Sequence, residues 1–101
     1  MSVKRKINFT IVPNELIDTD RISTHAKLTY IVLCRFANKE LTAFPSQKKI
    51  AERAGMSRMT VSRVMKELED VGLIVRQERR RNDGGKASNL YILTDEITVE
   101  N

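Results

Sequence analysis

Between Ser57 and Lys66 the chain reads SRMTVSRVMK. Ser57, Arg58, Thr60, Ser62, Arg63 and Lys66 all bring hydroxyl donors or fixed positive charge, and no carboxylate interrupts them before Glu67. Residues of these types hydrogen-bond and neutralise an anion that presents many acceptors. A second basic set follows in RQERRRNDGGK, residues 76–86. There Arg76, Arg79, Arg80, Arg81, Asn82 and Lys86 crowd around Asp83-Gly84, a dipeptide that favours a tight hairpin turn and so predicts a basic ribbon tip. Two basic faces this close in the chain suit one polyanion.

Other chemistry is poorly supplied. DGGKAS ends like a phosphate-binding loop, but Ala87 stands where a hydroxyl would hold magnesium and the upstream glycine is missing. SQKK, residues 46–49, fits a Ser-x-x-Lys nucleophile pattern without its companion motifs, and Ser46 is better used as a helix cap. His25 has no second histidine or cysteine neighbour to make a metal site. Cys34 falls on an apolar stripe and reads as core. Phe9, Tyr30, Phe36, Phe44 and Tyr91 are scattered singly, as packing residues rather than as a stacking platform for single strands. The expectation is a protein that binds, with no catalytic residues, no cofactor and no metal.

The elements that hold these faces can be read from spacing. With 101 residues, 41% hydrophobic and 31% charged, the chain suits one domain with a single core. The net charge is +5, and its positive part lies upstream of the tail, whose residues 91–101 hold three carboxylates and no cation. One cysteine excludes an internal disulfide framework, and no run resembles a membrane span or signal core, so the default compartment is the cytoplasm. KINFTIVP alternates Ile7, Phe9 and Ile11 with Asn8, Thr10 and Val12 and predicts a strand. PNELID predicts a single helical turn. Ser23 caps a helix over about residues 24–38 with two apolar stripes, Ala26, Tyr30, Leu33, Cys34, Ala37 and Leu28, Ile31, Val32, Phe36. LTAFPS is an extended connector. A helix over about residues 46–54 ends at Gly55, Ser57 caps the next one to about Val71, and Gly72 stops it. LIVRQERRR and SNLYILT are then two strands.

This order, and above all QKKIAERAGMSRMTVSRVMKELEDVGLI, resembles the winged helix-turn-helix DNA-binding domains. Ala51, Gly55, Val61 and Val64 occupy that family's small-residue, turn-glycine and inner-face positions, and Leu68, Gly72, Leu73 and Ile74 resemble its exit into the wing. VPNELID, STHAKLTYIVL and FPSQKKIAERAG look most like replication-initiation and related mobile-element accessory domains of plasmids and phages. The resemblance implies an α+β winged helix-turn-helix: a three-helix core and two-stranded β-wing with an extra N-terminal strand. Its core covers residues 23–94, with the helix-turn-helix at 46–71 and the wing at 73–94.

The implied activity is sequence-specific binding of double-stranded DNA in replication or DNA transfer. A major groove admits one α-helix, and the stripe Val61, Val64, Met65 and Leu68 would keep that helix on the domain. Arg58 and Arg63 are candidates for guanine, with Ser57, Thr60 and Ser62 beside them, while Gln47, Lys48 and Lys66 would touch the backbone. The basic wing would supply at least half of the affinity through a groove. A transcriptional repressor would bind in the same way. A protein-binding winged helix would need an apolar recognition face, where Met59 stands alone. Ile97 and Val99 alternate as a strand would, so the two chain ends could pair and build a homodimer. Other replication or DNA-transfer proteins are further expected partners, and a membrane is not.

Overall fold

In the computed structural model, which describes residues 8–78 and 89–94, a serine starts each of the three long helices. Ser23 Oγ accepts from the Ala26 amide at 3.2 Å, Ser46 Oγ from Lys49 at 3.1 Å and Ser57 Oγ from Thr60 at 3.1 Å. Each bond satisfies an amide that the first helical turn leaves without a carbonyl. The helices that follow are α2 (Thr24–Phe36), α3 (Gln47–Ala54) and α4 (Arg58–Asp70), preceded by the short α1 (Asn14–Asp18). Strands β1 (Thr42–Ala43), β2 (Ile74–Gln77) and β3 (Leu90–Leu93) form an antiparallel sheet in the order β1-β3-β2. This is an α+β winged helix, with β2 and β3 as the wing.

Glycine ends both helices of the helix-turn-helix. Gly55 has φ +70°, and the Met56 amide behind it reaches back to the Ala51 carbonyl at 3.1 Å. Gly72 has φ +82° after α4. The Gly72 amide bonds the Glu69 carbonyl at 3.0 Å and the Leu73 amide bonds Leu68 at 3.0 Å, the paired pattern of a Schellman end. Leu68 and Leu73 are both buried, which supplies the apolar contact that fixes the chain's direction into β2.

The core lies where α2, α3 and α4 meet the inner face of the sheet. Tyr30, Leu33, Ile50, Val64, Leu68 and Tyr91 are among its fully buried members. Tyr30 also donates its hydroxyl to the Thr94 carbonyl at 2.7 Å and so ties α2 to the end of β3.

Three expectations are corrected. Residues 8–12 form no strand, and Phe9 and Ile11 are 69% and 81% exposed, because no sheet edge pairs with them; Ile7 lies outside the described residues. The third strand is instead β1, inside the connector, where Thr42 faces Ile92 and Ala43 faces Tyr91. Helix α2 ends at Phe36 rather than near residue 38. There Asn38 Oδ1 accepts from the Glu40 amide, the Thr42 amide and the Thr42 hydroxyl, at 3.0, 3.1 and 2.9 Å, which commits the chain to a loop. The second apolar stripe of α2 is only partly covered: Val32 is buried, Ile31 and Phe36 half-buried, and Leu28 exposed.

Candidate nucleic-acid interface

Helix α4 divides into two faces. Val61, Val64, Met65 and Leu68 are buried, and Arg58, Met59, Ser62, Arg63 and Lys66 are exposed together on the outside. The stripe recurs at three and four residues, so one side of the helix is bonded to the domain and the other is free to enter a groove. Two residues between Ala54 and Arg58, Met56 and Ser57, follow Gly55 in the turn, which is short enough to hold α3 beside the start of α4.

Two carboxylates of α4, Glu67 and Glu69, are turned to neighbouring elements rather than to the exposed cations. Glu67 Oε1 accepts from the Ser23 amide at 2.6 Å and its Oε2 from the Ser23 hydroxyl at 3.0 Å. Glu67 thereby completes the cap of α2 from another helix, in the manner of a capping box split between two elements. Glu69 Oε1 lies 3.2 Å from Arg76 Nε, joining α4 to β2. Both contacts stiffen the domain behind α4 and leave the Arg58–Lys66 face positive.

The expected site residues fall into several groups. Arg58, Ser62, Arg63 and Lys66 are exposed on one helix face as expected. Ser57 and Thr60 are bonded to each other: besides the amide cap, the Ser57 hydroxyl donates to Thr60 Oγ1 at 2.9 Å. Their first role is to start the helix. Gln47, half-buried, and Lys48, exposed, open α3. Arg76 is exposed at the base of the wing, beside Glu69. Arg79, Arg80, Arg81, Asn82 and Lys86 lie outside the described residues, as do the Asp83-Gly84 turn and the tail with Ile97 and Val99.

One expected feature gains a position, and one further feature escapes a reading by residue type. Met59 sits in the middle of the cationic face. Arg35, Lys49 and Arg53 gather around the Phe36 ring with their charged ends 5.6, 5.6 and 6.0 Å from its centre, a second basic surface made by α2 and α3. The spacing of Lys49 and Arg53, four residues apart on one helix, carries that signal. Among the described residues no group of three or more metal-ligating side chains comes together. No described helix is long and apolar enough to cross a membrane.

Comparison with known proteins agrees with this geometry. Residues 20–74, more than half of the chain, match the profile of the helix-turn-helix domain family. No curated protein matches the chain significantly. Among solved structures, the fold is similar to that of a chain from the structure of a Rep-DNA complex, with a TM-score of 0.65 and 18% identity over 94% of this chain and 81% of that one. It is similar to the N-terminal domain of a DNA binding protein at 0.64 and 18%, over 94% and 80% of the two chains. An MDR initiator follows at 0.59 and 20%, over 92% and 82%.

Proposed function

The chain belongs to the helix-turn-helix domain family, and from that premise we propose that it is a sequence-specific binder of double-stranded DNA that serves plasmid or phage replication or DNA transfer. The observation that carries this reading is the exposed face of α4, where Arg58, Ser62, Arg63 and Lys66 stand together while Glu67 is spent on Ser23. A helix held by its apolar stripe and presenting cations and hydroxyls fits a major groove. Arg58 and Arg63 read guanine, Ser62 hydrogen-bonds beside them, and Lys66, Lys48 and Gln47 touch phosphates. Ser57 and Thr60 hold the helix start, whose amides favour a phosphate. Arg76, Arg79, Arg80, Arg81, Asn82 and Lys86 make the wing contact and supply at least half of the affinity. The protein works by binding, without catalysis or a cofactor. A role in replication is supported by the fold it shares with a chain of a Rep-DNA complex and with an MDR initiator.

The acting unit is a homodimer. Its support is the pair of exposed apolar residues Phe9 and Ile11, which line a groove of about 760 Å³ together with Tyr30, Cys34, Ala37, Leu41 and Leu93. Exposed apolar groups next to an open apolar groove favour burial by a partner.

The test is competition between a duplex selected from a random pool and an unrelated duplex. Wild-type protein should prefer the selected site. Arg63→Ala should lose about 5- to 150-fold of that preference, as expected for removal of one bidentate guanine contact. Equal preference in the variant would remove Arg63 from the reading set, and no preference in the wild type would remove sequence specificity altogether.

A further inference from the structure

We propose that Met59 is a specificity-determining residue that reads the C5-methyl group of a thymine in the major groove, an inference that rests on the duplex-DNA reading above. Met59 is 84% exposed, more than any other large apolar side chain among the described residues. Successive residues of a helix turn by about 100°, which puts Met59 about 160° from Val61 and about 180° from Leu68. It therefore stands opposite the buried stripe, at the crest of α4, between Arg58, Ser62 and Lys66 on one side and Arg63 on the other. If this face enters a groove, Met59 goes deepest.

The chemistry of the groove floor then limits what Met59 can meet. Base edges there present donors and acceptors, and the apolar group among them is the thymine methyl. A thioether with three rotatable bonds adapts to such a group and offers the neighbouring acceptors nothing. Met59 is also the second residue of α4, in the N-terminal part that contacts base edges in helix-turn-helix docking. Arg63 lies four residues later on the same face, about 6 Å further along the axis. At about 3.4 Å per base-pair step, the thymine is expected within about two base pairs of the guanine that Arg63 reads.

The experiment uses the full chain and deoxyuridine, which differs from thymidine only by the missing methyl. A preferred duplex is selected from a random pool, each thymine is replaced singly by deoxyuridine, and affinity is read by fluorescence anisotropy at fixed salt. The expected result is a thymine near the Arg63 guanine whose replacement weakens wild-type binding about fourfold, the value for burying one methyl-sized group. Met59→Ala should bind the two duplexes within about twofold of each other, with an unchanged melting temperature since the side chain is exposed. Met59→Leu should restore part of the discrimination. Wild-type affinity that ignores every replacement, or a Met59→Ala protein that keeps the full loss, overturns the proposal while leaving the duplex reading intact. Failure of the wild type to bind any duplex at about 50 mM salt removes both.

Discussion

Gly55 shows at the scale of one residue how little separates a working site from a collapsed one. Its φ of +70° is a left-handed conformation, and a Cβ built there would meet nothing within 4 Å. The cost of a side chain is therefore in the backbone alone. Gly55→Ala should destabilise the domain by about 1–2 kcal/mol, and Gly55→Asn by less, because asparagine tolerates that region better. Denaturant midpoints check this, and equal stability of all three proteins would show that the turn adopts another conformation. Glu67 is the second such residue. Its two bonds to Ser23 join α4 to the start of α2, so Glu67→Ala should cost about 1–2 kcal/mol; adding Ser23→Ala should cost about 1 kcal/mol more, for the Ala26 cap, but less than Ser23→Ala alone. Additive losses in that double-mutant cycle would mean that the two residues act separately. Both positions were legible in the sequence by type, Gly55 as a turn glycine and Glu67 as the carboxylate that ends the cationic run. The partner of Glu67 was not, since Ser23 lies 44 positions away and only folding brings it near.

At the scale of elements, local signals were read well wherever one residue type satisfies a backbone need. Ser23, Ser46 and Ser57 each accept the amide bond that a helix start requires, and Gly55 and Gly72 end their helices. Signals that need a distant partner misled. The alternation of Phe9 and Ile11 makes no strand because alternation supplies a face and not an edge to pair with. β1, only Thr42–Ala43, is too short to show a period, and it exists because Asn38 fixes the loop before it and β3 offers a free edge. Asn38→Ala should remove three accepted hydrogen bonds and lower stability by about 1–2 kcal/mol. Hydrogen exchange should then show earliest loss of protection at Thr42 and Leu93, whose amides bond Asn38 and Leu41; unchanged protection there would contradict the assignment. The recognition face was legible for its cations, Arg58, Arg63 and Lys66. Met59 was legible there as the lone large apolar residue of the face, while the role proposed for it rests on its angle on the helix rather than on its chemical type.

Across the described residues, Glu67 and Glu69 brace joints of α4 with α2 and β2 while Arg58, Arg63 and Lys66 remain outside. Replacing Arg79, Arg80 and Arg81 together by alanine should weaken duplex binding at least tenfold at moderate salt; a change within about threefold would assign the affinity to α4 instead. The proposed dimer makes an independent demand. Phe9→Ser with Ile11→Ser should yield monomers by size in solution, and an unchanged dimer would place the interface elsewhere. The central claim is tested most directly by titrating the wild-type chain with a labelled duplex and a labelled single strand across a series of salt concentrations. The expected result is preference for the duplex, with log K falling against log salt at a slope of about −0.9 for each phosphate neutralised. Absence of duplex binding at about 50 mM salt would contradict it, and the exposed face of α4 would then belong to a protein partner.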